Sequence, residues 1–152
     1  MTTMRRILHA SDFSAASRPA FAKAVEMARA NRAELMLVHV LSPVIPLMGT
    51  EYVSPRVIED LMRAARNQAE RGLTTLEARA KKAGVRATTL LVEGTPFTEI
   101  VRVAKAKRAD LIVVGTHSRS GLGKLFVGSV AERVVGTAPC PVLTVRGKSS
   151  GR

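Results

Sequence analysis

Residues Glu34–Leu41 read ELMLVHVL, a nearly continuous apolar run of strand length. A sheet face open to water would impose alternation with polar residues, so this run fits a parallel strand covered on both sides. Working outward, Arg6–Ala10 (RILHA) is a shorter run of the same kind that ends at Ser11 and Asp12. Between the two, Ser14 and Ser17 are candidate caps for a helix reaching about Ala30, with Pro19 in its first turn and Phe21, Ala24, Val25 and Ala28 on one face. Beyond a proline-rich loop, Ser54 and Pro55 open a long helix ended by Gly84. Its apolar positions, Ile58, Leu61, Met62, Ala65, Ala69, Leu73, Leu76 and Ala80, keep helical spacing.

The alternation continues to the end of the chain. Val85–Val92 supplies a third strand, Pro96 opens a helix with Ile100, Val101, Val103 and Ala104 inward, and Asp110–Gly115 (DLIVVG) is a fourth strand. A helix from Ser129 to about Val135 and a last strand, Pro141–Val145 (PVLTV), complete the pattern. Strands alternating with helices predict an α/β fold: a single open, doubly wound parallel five-stranded sheet, Rossmann-like, with right-handed crossovers and helices on both faces. Residues 1–147 are expected to form one domain and 148–152 a frayed polar tail.

Composition narrows the class. Hydrophobic residues make up 46% and charged residues 24%, the balance of a globular protein with one core. Aromatics are only 3%, so the core is aliphatic and a platform for stacking exposed bases is missing. Cys140 is the single cysteine, which excludes an intramolecular disulfide and a Cys-rich zinc site; between Pro139 and Pro141 it reads as a small buried residue. The apolar stretch after Arg5 and Arg6 is too short for a signal sequence, and no run is long enough to span a membrane, so a cytoplasmic protein is expected. Net charge is +12, yet the basic residues are dispersed along the sequence. Such scatter argues for a solvated polar face rather than a nucleic-acid footprint.

In open α/β sheets ligands bind beyond the carboxyl ends of the strands, where the winding direction reverses. Asp12 follows the first strand, Val40 ends the second, and the glycine-rich loop from Gly115 follows the fourth. Gly115, Gly121, Gly123 and Gly128 fall close together, and Gly128 with Ser129 opens a helix. Free amides there suit phosphate. A flexible loop in which Ser129 is only a helix cap fits the same spacing. A Walker A loop is excluded because Ser118 stands where its first glycine is needed and Leu125 follows Lys124. A dinucleotide fingerprint is excluded because Asp12, Phe13 and Ser14 follow the first strand. His9, His39 and His117 form no helical metal-ligand pair, and His39 reads as a satisfied strand histidine.

The segments ASDFS, HV at the end of the second strand, EGTP, GTHSRSGLGKLFVGSVAERVV and APCPVLTV together resemble the universal stress protein family over nearly the whole chain. The resemblance implies strand order 3-2-1-4-5, homodimerisation through the last strand (Pro141–Val145), and, in one branch, ATP binding. In that branch the phosphate loop reads glycine, two residues, glycine, nine residues, glycine, then Ser or Thr. Gly115, Gly128 and Ser129 match, whereas Ser118 replaces the second glycine. At matching positions the resemblance gives Asp12 the ribose hydroxyls and Ala10, Ser11 and Val40 the border of adenine. It gives Val114, Gly115, Gly128, Ser129 and Val130 the backbone groups around ribose and phosphates. Ser118 retains an amide, and Arg119 and Lys124 are candidate charges for a triphosphate. Asp12 can alternatively serve as an Asx-type cap of the first helix.

The implied ligand is ATP, or ADP or AMP, with Mg2+ as an accompanying ion. No acidic residue lies between Asp110 and Glu132, so the loop has no base or metal-binding carboxylate for efficient phosphoryl transfer. The chain therefore reads as a nucleotide-responsive stress regulator rather than an enzyme, with slow hydrolysis left open. A nucleotide-independent dimeric interaction module is the alternative, and a nucleic-acid binder ranks below both.

Overall fold

The computed structural model describes residues 3–43, 53–116 and 129–147. Five strands, β1 Arg6–Ala10, β2 Glu34–Leu41, β3 Ala87–Glu93, β4 Leu111–Thr116 and β5 Val142–Arg146, alternate with four helices. The helices are α1 Arg18–Asn31, α2 Pro55–Lys82, α3 Pro96–Ala106 and α4 Ser129–Thr137. Every strand pair is parallel and the order is β3-β2-β1-β4-β5, as the resemblance implies.

Period-two alternation sorts the strand residues onto two faces. Ile7, Leu35, Leu37 and Val113 pack against Ala20, Ala24 and Ala28 of α1 and Leu73 and Ala80 of α2. Leu8, Met36, Val38, Ile112 and Val114 meet Ile100, Val103 and Ala104 of α3 and Ala131 and Val134 of α4. Because both faces are covered, β2 carries no polar alternation. Each large aliphatic side chain buried this way contributes about 1.5–3 kcal/mol. Cys140 packs partly buried against the second cluster, and burial, then the charge of Asp110, raise its thiol pKa.

Local signals explain the element ends, with one correction. Ser54 Oγ accepts the Val57 amide and Pro55 takes the first helical position, as the sequence suggests for α2. Gly84 ends that helix region with φ +85. Neither Ser14 nor Ser17 caps α1 through its side chain. A 3-10 turn, Ala15–Ser17, intervenes, and Ser17 Oγ instead donates to the Ser14 carbonyl at 2.9 Å.

The second correction concerns α2. Its 28 residues span about 42 Å at 1.5 Å per residue, whereas strands of seven or eight residues reach only about 25 Å. The front half therefore overruns the sheet. Leu61 is 52% exposed and Met62 40%, while Leu73 is 4% exposed, although all three share the helical apolar stripe. Leu73→Ala is accordingly expected to cost about 2–4 kcal/mol and Leu61→Ala under about 0.5 kcal/mol, measured by urea unfolding. Equal costs would show that the front half of α2 is packed as well as the rear.

Candidate functional site

The chain winds outward from β1 in both directions, first to β2 and β3, later to β4 and β5. Their connections leave the carboxyl edge on opposite sides, and the last residue of β1, Ala10, is still paired to both Val38 and Val114. Beyond it the turn 11–13 sits at this divergence. Ser11 stays anchored to β2 through its amide, which donates to the Val38 carbonyl at 2.9 Å.

The turn is held by a set of contacts that the sequence did not announce. Ser11 Oγ accepts the Phe13 amide at 3.0 Å and lies 3.3 Å from Ser17 Oγ. The Ser11 carbonyl accepts His39 Nδ1–H at 2.7 Å, so His39 of β2 is a satisfied strand histidine. Phe13 adopts φ +64, a left-handed conformation uncommon for a bulky residue. Its ring stacks on His39 with centroids 4.5 Å apart and planes 26° apart. The other side of that ring lies on Gly72 of α2, where an added Cβ would come within 2.6 Å of it. Glycine inside a helix costs about 1 kcal/mol relative to alanine, so its place at 72 was the one readable sign of this close approach.

Asp12 projects to the surface, and its Oδ1 accepts the Ser14 amide at 2.9 Å. The Asx-type turn is therefore present, and it fixes the carboxylate's orientation at the edge. Ser14 Oγ is buried without a hydrogen-bond partner among the described residues. Below the turn, His9 is fully buried and donates Nδ1–H to the Val113 carbonyl at 2.9 Å, while Nε2 has no partner among the described residues. Desolvation lowers its pKa from 6.5 to about 4, against smaller opposing effects of that carbonyl and of the Asp12 charge.

Of the candidate residues, Ala10 ends β1, Val40 precedes the last residue of β2, Val114 and Gly115 lie in the last three residues of the adjacent β4, and Ser11 and Asp12 are the two residues after β1. Val114 is buried; Ala10 and Val40 are partly buried on the α3 and α4 face. Gly115 has no positive φ, and a Cβ there would make ordinary contacts of 3.4–3.5 Å with Ser17, Ala16 and Ala20. Glycine at 115 is thus required neither by backbone conformation nor by packing. Ser129 opens α4, and Val130 beside it is 37% exposed. Ser118, Arg119, Lys124 and Gly128 lie outside the described residues, as do Gly121, Gly123 and His117. Among the described residues no three His, Cys, Asp or Glu side chains converge, and no helix is long and apolar enough to cross a membrane.

A family profile described as "Universal stress protein family" matches residues 3–146. The chain belongs to this family. A universal stress protein of Thermus aquaticus is 37% identical over 142 residues, covering 93% of this chain and 98% of the relative. A universal stress protein solved in complex with cAMP superposes with a TM-score of 0.70 at 25% identity, covering 97% of this chain and 100% of that one. The Archaeoglobus fulgidus family member solved in complex with dAMP gives 0.65 at 25% identity, covering 95% and 99%. Both likenesses cover nearly the whole of this chain.

Two outcomes test this family member's edge geometry. An imidazole that stays neutral in the fold but protonates near 6.5 when unfolded makes the unfolded state bind the extra proton, so stability falls as pH drops below 6.5 and levels off below about 4. Roughly 1.5 kcal/mol should be lost between pH 6.5 and 5, and the His9 ring resonance should show no titration in that range. A His9 resonance titrating near 6.5 would contradict the buried, neutral assignment. Gly72→Ala should destabilise by about 1–3 kcal/mol through displacement of Phe13, and Gly72→Ala with Phe13→Leu should recover part of that loss in thermal unfolding.

Proposed function

We propose that this universal stress protein binds an adenine nucleotide at the carboxyl edge of the sheet, between the turn after β1 and the loop after β4, and acts as a nucleotide-responsive regulator. The observation that carries the reading is the placement of Asp12, oriented by the Ser14 amide, at the divergence of β1 from β4, two residues past Ala10 and beside the strand end bearing Gly115. Two structural neighbours carrying cAMP and dAMP support the adenine part of it.

In this reading the Asp12 carboxylate accepts hydrogen bonds from ribose hydroxyls, and Ala10, Ser11 and Val40 border the base. Backbone groups of Val114, Gly115, Gly128, Ser129 and Val130 surround ribose and phosphates, with Ser118 and Arg119 on the phosphate side. The ligand of this reading is ATP, ADP or AMP, and Mg2+ would enter as the partner of a triphosphate rather than as a metal held by the protein. Without an acid in the segment between Asp110 and Glu132, binding rather than efficient phosphoryl transfer is the expected activity. Residues 1–147 act as the functional domain of a cytoplasmic homodimer built through the last strand.

Ser118, standing where the ATP-binding branch has glycine, favours a second reading in which the dimer works as an interaction module without nucleotide. Mass spectrometry of protein denatured as purified separates the two: the first reading expects adenine nucleotide. Calorimetry on nucleotide-free protein should then give micromolar or tighter ATP binding. Asp12→Asn keeps an acceptor for the Ser14 amide but removes the charge, and should weaken binding by about tenfold or more with little change in unfolding temperature. A folded wild type that binds neither ATP, ADP nor AMP overturns the proposal.

A further inference from the structure

Basic residues that look scattered along the sequence are gathered by the topology onto one edge. In a parallel sheet every strand starts, and every crossover helix ends, on the amino edge, opposite the candidate nucleotide site. Arg5 and Arg6 stand where β1 begins, Arg29 and Arg32 where α1 ends, and Arg79, Lys81 and Lys82 where α2 ends. Arg86 immediately precedes β3, and Lys105, Lys107 and Arg108 close α3. All are exposed.

The acids on this edge do not balance them. Asp110 Oδ2 is occupied by the amides of Arg5 and Arg6 at 2.8 and 2.9 Å, which also hold its pKa below the ordinary value. Glu34 Oε1 accepts Thr88 Oγ1 at 3.3 Å, and Glu77 pairs with Lys81 at 3.5 Å. Among the described residues Lys81 is the one cation of this edge in an ion pair; the other pairs lie elsewhere, at Lys23, Arg63, Arg66 and Arg102. Cations at helix C-termini offset the macrodipole, but four helix ends carry roughly −2 charges in all, far fewer than the cations gathered here. Nor can attraction of a nucleotide to the carboxyl edge explain them, since they lie at the wrong end of the strands.

We propose that the amino edge is a docking surface for the phosphodiester backbone of a nucleic acid duplex. Arginine outnumbers lysine there, and its forked donors match phosphate oxygens better than a point charge does. A recess of about 410 Å³ between Arg6, Thr88, Thr89 and Lys107, with Glu34 at its wall, adds the Thr89 hydroxyl to the cations, while Thr88 is engaged by Glu34 and one Arg6 nitrogen donates to the Lys107 carbonyl at 2.9 Å. The exposed large apolar side chains among the described residues, Val53, Val57, Leu61, Met62, Val130 and Val135, all lie on segments that contribute none of these cations, except for the front turns of α2, remote from its basic end. Of these only Val135, in the last turn of α4, reaches this edge, and one valine is no apolar wedge for a membrane; among the described residues no aromatic stands there to stack on bases, which favours sequence-independent contact with the backbone. From β3 to β4 the edge measures about 14 Å across the strands, widened by a helix layer on each side, enough to face about four to six phosphates.

The test uses the full chain and a 20-base-pair DNA duplex followed by fluorescence anisotropy across a salt series, with a duplex RNA in parallel. Wild type should bind at 150 mM salt with a slope of log affinity against log salt between about −3.5 and −5.5. Neutralising the edge with Arg5→Gln, Arg32→Gln, Arg86→Gln and Lys107→Gln should lower affinity by about a hundredfold and flatten the slope by about three. A control set with the same loss of net charge, Arg56→Gln, Arg63→Gln, Arg71→Gln and Arg102→Gln, should change affinity less than about threefold. Equal weakening by the two sets would reduce the effect to overall charge and overturn the proposal. So would absent binding at 150 mM salt, or tighter binding to polyglutamate or to phosphatidylserine vesicles than to either duplex.

Discussion

The five residues of β1 must satisfy backbone hydrogen bonds to two neighbours at once, and the molecule is organised around that constraint. Arg6–Ala10 pairs with β2 along one side and β4 along the other, and with both side-chain faces covered it is the central strand of the sheet. Such a strand is stable only if its residues are apolar or internally satisfied. Ile7 and Leu8 are fully buried, and His9 meets the requirement in part, remaining neutral and donating Nδ1–H to Val113 while Nε2 has no partner among the described residues. Where the double ladder ends, its two neighbours lead away in opposite directions, and the chain must turn sharply. That turn places Ser11 inside and Asp12 outside.

The same constraint divides the sheet into two unlike edges. At the carboxyl edge, the ends of β1 and β4 and the turn after β1 present the oriented carboxylate of Asp12, small residues and backbone, the surface that the proposed nucleotide would occupy. At the amino edge, three helix ends and two strand starts present cations with few carboxylates to oppose them. Because winding sends every strand the same way, residues distant in sequence, such as Arg32, Arg86 and Lys107, become neighbours on that edge, and their scatter along the chain says nothing of their grouping in space. Charge counted over the whole sequence therefore concealed a division of labour that only the topology exposes.

Much of the fold was legible because its signals are local. The unbroken apolar run 34–41 required two covered faces, Pro55 and Pro96 opened helices, and Gly84 ended one; the structure keeps all of these. The strand order was legible only through the family resemblance, since periodicity does not say which strand pairs with which. What escaped depends on distance rather than pattern. The apolar stripe of α2 runs past the end of the sheet because helix and strand advance at different rates per residue. Ser14 and Ser17 look like caps, yet the 3-10 turn diverts both. Of the candidate site, the strand-end residues and Asp12 followed from the rule that ligands sit beyond carboxyl ends. Phe13, His39 and Gly72 did not, because a ring lying on a mid-helix glycine joins residues 59 positions apart that no sequence window contains.

The central claim, that an adenine nucleotide sits at the carboxyl edge where β1 and β4 part, is tested most directly by titrating ATP into isotopically labelled, nucleotide-free protein and mapping amide shifts. The account predicts the largest changes at residues 10–12, 39–41, 114–116 and 129–130, with Arg32, Arg86 and Lys107 unmoved. Saturable shifts centred on the amino edge instead, or none at millimolar ATP in a folded protein, would contradict it.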